Sequence, residues 1–213
     1  MYITQAFTLT KKNIGEFDRE YCFFTKKFGM IIVIAKGIRK PNAKLQGQIE
    51  LPCLTNIDFT SGNQKKLTGA LIKNSYPKIR TNLKASDTTI RILGLIKEFV
   101  CFSETDLDLW SVLKESLDFL EKALEKTKIS PLVEFFFVAY LIKNLGFEPE
   151  LKEESKGDFM ANKQTLRSLK ILFNLDLNEI IKKELVEPIL NQKENISKFF
   201  KQYLKYIKNT YLK

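Results

Sequence analysis

The spacing of hydrophobic positions changes part-way along the chain. Up to about residue 75, Val, Ile, Phe, Thr and Tyr gather in short runs divided by turn residues, which is the grammar of strands. The first run is 3–10, before Lys11-Lys12-Asn13-Ile14-Gly15. The second is 19–26, closed by Phe28-Gly29, and the third is 30–35, closed by Lys36-Gly37. A stretch at 48–59 is long enough for a fourth strand with a bend at Pro52, which has no N–H to give to a ladder. Ser61-Gly62-Asn63 then turns into a fifth strand, 66–73. Five short strands with little room for helix predict a small closed barrel. The five-stranded OB-fold, a frequent nucleic-acid binder, is one such barrel, and other small barrels and half-sandwiches share the pattern.

From residue 83 the period becomes 3.6. Ile90, Leu93, Ile96, Lys97 and Val100 run down one helix; Leu109, Val112, Leu113, Leu117, Leu120 and Leu124 run down the next. Ser103-Glu104-Thr105-Asp106 offers that second helix a cap, with an acid three places after the serine. Ser130-Pro131 starts a third helix that is apolar nearly all round, as the buried centre of a bundle would be, and Leu145-Gly146 stops it. Residues 150–162 are polar and read as a loop. Helices at 163–174 and 176–185 follow, and a long one begins near Pro188. On this last helix Lys198, Lys201, Lys205 and Lys208 fall on one stripe, opposite Ile196, Phe199, Phe200, Tyr203, Ile207 and Tyr211. The stripe is either the solvated face of a packed helix or a second basic track for nucleic acid or an acidic peptide. The fold class is α+β, with a barrel domain at 1–82 and a helical domain at 83–213.

Charge sharpens this division. The 213 residues carry 35 Lys and Arg against 25 Asp and Glu, a net charge of +10, and no histidine. Residues 1–82 hold 14 of the bases and only 5 of the acids. Two windows lack acids altogether: 21–49, with Lys26, Lys27, Lys36, Arg39, Lys40 and Lys44, and 59–86, with Lys65, Lys66, Lys73, Lys78, Arg80 and Lys84. Such a concentrated positive field suits a polyanion; an acidic protein partner or a merely soluble surface are the alternatives.

Much chemistry is excluded. Without histidine there is no Ser-His-Asp or Cys-His arrangement and no imidazole-ligated metal. Cys22, Cys53 and Cys101 are widely spaced among apolar neighbours and read as small core residues in a reducing compartment. Glu16, Asp18 and Glu20 would share a face on a strand and hold Mg²⁺, or else form a polar turn. The P-loop, the dinucleotide fingerprint and the EF-hand spacing are all missing. A non-enzyme without a cofactor is expected. The start, Met1-Tyr2-Ile3-Thr4-Gln5, has no basic segment before an apolar run, and the longest apolar run, 135–142, is too short to span a bilayer. A soluble, cytoplasmic protein is expected, without membrane contact.

Three segments carry a family resemblance. Gly15-Glu16-Phe17-Asp18-Arg19, Phe24-Thr25-Lys26-Lys27-Phe28-Gly29 and Ala35-Lys36-Gly37-Ile38-Arg39-Lys40 resemble the E-x-D, F-T-x-x-x-G and K-G-x-R-[KR] elements at the start of the RecO family of recombination mediators. Leu145-Gly146-Phe147-Glu148-Pro149-Glu150-Leu151 is similar to that family's L-G-[FY]-x-P-x-L segment. There are two departures. Many relatives carry a four-cysteine zinc site after this segment, where this chain has Lys152-Glu153-Glu154-Ser155-Lys156-Gly157-Asp158, so a shortened loop without zinc is expected. The serine usual after K-G-x-R-[KR] is replaced by Ala43.

The resemblance implies an OB-fold barrel and a non-enzymatic, nucleoid-associated repair protein. It would bind single- and double-stranded DNA, anneal complementary strands, engage the acidic C-terminal tail of single-strand-binding protein and, with RecR, promote loading of RecA. Lys36, Gly37, Arg39, Lys40 and Lys44 are the leading DNA-contact candidates, because Gly37 lets the backbone approach a phosphate and Arg39 can clamp one with two donors. Lys26, Lys27, Lys65, Lys66 and Arg80 rank second. Phe24, Phe28 or Tyr21 would stack on bases unless they fill the core. Two other readings stay open: a non-catalytic scaffold of a repair complex, and an RNA- or ribosome-binding barrel.

Overall fold

A computed structural model describes residues 1–124, 129–151 and 161–211. The chain divides into two compact units, 1–121 and 122–213.

In the first unit, β1 (Tyr2–Ile14), β2 (Asp18–Thr25), β3 (Gly29–Ala35), β4 (Leu54–Thr60) and β5 (Lys66–Asn74) form a closed barrel. Its order, β1-β2-β3-β5-β4, returns to β1 and is that of the OB-fold expected from the strand pattern. β1 is antiparallel to both β2 and β4, while β3 and β5 meet in parallel at the pair Ile34–Lys66. Tyr21, Phe23, Ile31, Val33, Ile57 and Phe59 fill the interior.

The run 21–24 is buried on both faces, so it does not alternate. Its outward side is covered by helix: the rings of Phe7 and Phe24 lie 5.0 and 5.7 Å from that of Trp110. Trp110 belongs to α3 (Leu107–Ala123), which with α1 (Pro77–Thr81) and α2 (Leu83–Phe99) completes this unit's helices. The change of period at 82/83 is therefore not the edge of a compact unit, since α2 and most of α3 group with the barrel.

Several boundaries differ from expectation. β1 runs on through Lys11 and Lys12, leaving the turn to Gly15-Glu16-Phe17. The fourth strand begins only at Leu54, with a short 3-10 turn at Gln46–Gln48. Helix α1 has no counterpart in the hydrophobic pattern. It is too short for a period, and its first N–H groups are satisfied from α3, where the Glu121 carboxylate accepts from Lys78 and Ile79 at 2.9 and 3.0 Å. In α2 the buried face holds Ala85, Ile92, Leu93, Ile96 and Phe99, leaving Ile90 exposed. Asp106, not Ser103, caps α3, accepting from the Leu109 N–H at 2.8 Å.

The second unit holds α4 (Ile129–Asn144), α5 (Lys163–Asn174), α6 (Leu177–Lys182), α7 (Val186–Leu190) and α8 (Lys193–Tyr211). The apolar α4 packs on α5, α7 and α8, the central place its composition demands. The long helix expected from Pro188 is broken. At the break the Gln192 side-chain amide donates to Gln164 and accepts from Thr165, both of α5. Most of the loop at 150–162 lies outside the described residues. No described helix is long and apolar enough to cross a membrane.

Cys22 and Cys53 are buried as expected, but Cys101 is exposed beyond the end of α2. Burial pushes the Cys22 thiol up to about 11 and raises that of Cys53. At pH 8 both stay protonated and shielded. Alkylation of the folded chain followed by peptide mapping is expected to label Cys101 at least tenfold faster than Cys22 or Cys53, with the difference vanishing in denaturant.

Candidate nucleic-acid interface

The first group of cations is organised by the β1–β2 turn and the segment leaving β3. Ile38 is buried in the barrel core and fixes that segment, which turns its neighbours outward. Gly37 adopts φ +63°, a conformation costly for other residues, and its N–H donates to Asp18 Oδ1 at 2.8 Å. Lys36 Nζ lies 3.1 Å from Asp18 Oδ2. The Arg39 N–H donates to the Phe17 carbonyl at 3.0 Å, and its guanidinium reaches the Gly15 carbonyl at 3.3 Å. The Lys40 ammonium sits 5.6 Å from the centroid of the Phe17 ring. Lys36, Gly37, Arg39 and Lys40 thus come together around one carboxylate, one aromatic ring and one turn. Lys44 is exposed farther along the same loop.

Asp18 is the pivot of this group. The Gly37 N–H and then the Lys36 ammonium hold its carboxyl below the usual carboxylate range. The carboxylate is therefore already committed, and Glu16 lies in the turn rather than on a strand, so the three acids do not share a strand face. Among the described residues no group of three or more potential metal ligands gathers. A four-thiolate zinc site does not fit this chain, which has three cysteines and no histidine.

The second group lies at the opposite end of β2, about 20–25 Å away at ~3.3 Å per residue. Here the F-T-x-x-x-G element forms the β2–β3 turn. The Thr25 hydroxyl donates to the Gly29 carbonyl at 2.8 Å and accepts from the Phe28 N–H at 3.0 Å. Gly29 has φ +59°, and a Cβ there would collide with the Glu104 carbonyl of the α2–α3 linker. The turn presents Lys26 and Lys27, both exposed.

Beside it opens a cleft of about 290 Å³. The Tyr2, Phe28 and Phe59 rings line it at mutual centroid distances of 5.4–5.5 Å. Ile31, Lys27, Lys65, Ser61, Ser103 and Thr105 complete the wall. Lys66 is exposed at the start of β5, whereas Arg80 sits on α1, where its charge acts on Cys53. The ten barrel candidates therefore form one group around Asp18 and one at the β2–β3 turn, with Lys65 and Lys66 beside Ile34 near the end of β3 and Arg80 apart.

Of the aromatics singled out for stacking, Tyr21 and Phe24 are fully buried and unavailable, and only Phe28 reaches the cleft. Tyr2 was not legible as a site residue. Its position became meaningful through strand register, which sets it directly opposite Phe59. Lys198, Lys201, Lys205 and Lys208 are exposed along α8, opposite the buried Ile196, Phe199, Phe200 and Ile207. On that packed side Tyr203 stacks on Phe199 and donates to the Phe147 carbonyl at 3.0 Å.

Residues 1–76 match the family model described as Recombination protein O N terminal. Three relatives, each named DNA repair protein RecO, illustrate the similarity. The protein of Dehalococcoides mccartyi is 28% identical over 151 residues, covering 70% of this chain and 58% of the relative. That of Syntrophus aciditrophicus is 24% identical, covering 70% and 57%. That of Trichodesmium erythraeum is 24% identical over 194 residues, covering 85% and 66%. The chain thus spans about 58% of the length of the first of these relatives.

The linkage of Asp18 fixes the sign of a pH effect. A carboxyl whose folded value is depressed contributes fully above its unfolded value, and the contribution is lost as pH falls through the folded one. Hydrogen-exchange protection of the Gly37 amide is expected to be full at neutral pH and to fall under acid conditions. In Asp18→Asn the amide is expected to be weakly protected throughout, without that acid step.

Proposed function

We propose that this chain, which matches the RecO family of DNA repair proteins over residues 1–76, is a non-catalytic mediator that binds single- and double-stranded DNA through its barrel and anneals complementary strands. The observation that carries the reading is the placement of its cations. Lys36, Arg39 and Lys40 at one end of the barrel, Lys26 and Lys27 at the other, and Lys65 on the cleft, where its carbonyl accepts from the Ile34 N–H, stand on turns and strand ends, five of the six exposed. Bringing two polyanions together requires their phosphate charge to be screened, and each lysine or arginine at a phosphate also releases condensed counterion. Two cationic ends on one rigid barrel can hold separate backbone segments at once. Arg39 spends one contact on Gly15 and keeps further donors for a phosphate.

The partners follow the same chemistry. The acidic tail of single-strand-binding protein, which ends in an apolar residue, needs an apolar recess rimmed with basic groups. The second unit offers a groove of about 400 Å³ between α5 and α7, lined by Ile171, Pro188 and Arg167, together with the Lys198–Lys208 stripe. With RecR, the chain would help to load RecA on the strand so exposed. No bound cofactor enters this scheme.

Annealing of complementary strands pre-coated with single-strand-binding protein, with and without the chain, tests the whole reading; acceleration is expected, and an unchanged rate refutes it. The contact residues have their own test. Lys36→Ala/Arg39→Ala/Lys40→Ala should weaken binding to oligomers of any sequence. Titrations over a salt series should show the log–log salt slope reduced by about 2–3, at ~0.7–0.9 for each phosphate no longer neutralised. A folded triple variant with wild-type affinity at low salt would exclude this group.

A further inference from the structure

We propose that the aromatic cleft beside the β2–β3 turn accepts one unstacked nucleobase, and that this insertion makes the chain prefer unpaired strand to duplex. The inference rests on the reading of the barrel as a DNA-binding surface and adds to it a base contact that phosphate neutralisation does not supply.

Three observations carry it. The first is the state of the aromatics. Tyr2 is 44% exposed, although its ring stacks within 22° of parallel on the buried Phe59. Phe28 stands edge-on to both, at 84° and 86°, and is itself only half-buried. These flat rings line a space of about 290 Å³, near the lower bound of ~300 Å³ for small-ligand sites. A flat π-system is the natural filling, and base–aromatic stacking tolerates every base because each has a π-face.

The second observation is the polar complement. Ser61, Ser103 and Thr105 supply hydroxyls, which both donate and accept and so can meet the edge of any base. The third is charge. Lys27 and Lys65 line the cleft, Lys26 and Lys66 adjoin them in sequence, and among the described residues no carboxylate side chain lines it. A nucleotide places its phosphates where these ammonium groups stand when its base is inside. In duplex DNA the bases are stacked and paired, so entry would first require extrusion, and the cleft discriminates in favour of single strand.

The test is fluorescence anisotropy at fixed low salt with three labelled oligomers of equal length: a single strand, the same backbone made abasic throughout, and a duplex. The wild-type chain is expected to bind the base-bearing strand about tenfold more tightly than the abasic one. Tyr2→Leu, which keeps an apolar contact on Phe59 while removing the π-face, should bring that ratio close to one and leave the abasic and duplex affinities unchanged. Lys27→Ala/Lys65→Ala should weaken all three. Equal wild-type affinity for base-bearing and abasic strands, with DNA binding retained, overturns the base site and leaves the DNA reading standing. If none of the oligomers binds, both fall. If an acidic peptide with an apolar end binds and Tyr2→Leu abolishes that binding while DNA affinity is untouched, the cleft belongs to a peptide and the inference is overturned.

Discussion

The first unit depends on a single strand hydrogen-bonded along both edges. Residues 2–7 of β1 pair with β4 and residues 6–14 pair with β2, so β1 draws its two neighbours into a closed wall. Closure, completed by the single parallel pair of β3 with β5 at Ile34–Lys66, encloses Tyr21, Phe23, Ile57 and Phe59 and forces polar and charged residues to the turns and outer faces. The same geometry makes two ends. β2 starts at one and finishes at the other, which is why cations close in sequence are distant in space.

Each end solves the crowding of like charges in its own way. At the Lys36–Lys40 end the chain supplies its own counter-groups: a carboxylate for Lys36, a ring face for Lys40 and a carbonyl for Arg39. A phosphate arriving there exchanges one oxygen ligand for another, and part of the gain from a bare ammonium is forgone. In the cleft, the described lining holds no acid, and three aromatic rings share it with Lys27 and Lys65.

The strand set and most helices were legible because burial on one face imposes alternation and burial on one stripe imposes a 3.6 period. What escaped had no period to show. Helix α1 is held by a carboxylate from α3, and the break before α8 is marked by an amide turned toward α5; both are tertiary contacts between segments distant in sequence. The charge map was readable as well, since lysines seldom go inside. Sequence could not show that Asp18, one acid among many bases, would sit against Lys36. Nor could it show which aromatics face inward: Tyr21 and Phe24 looked as eligible as Phe28, and Tyr2 acquired its meaning only from a register across the sheet.

The α2–α3 linker touches the barrel where Gly29 leaves room for the Glu104 carbonyl, and Ser103 donates its N–H to the Met30 carbonyl. Two of the cleft's lining residues, Ser103 and Thr105, therefore arrive from chain synthesised long after the strands. A nascent barrel emerging from the ribosome has the rings but not the enclosure, and an excised fragment ending at residue 82 would be in the same condition. Competence at this place is acquired last, which makes the finished cleft a certificate that the downstream helices have docked.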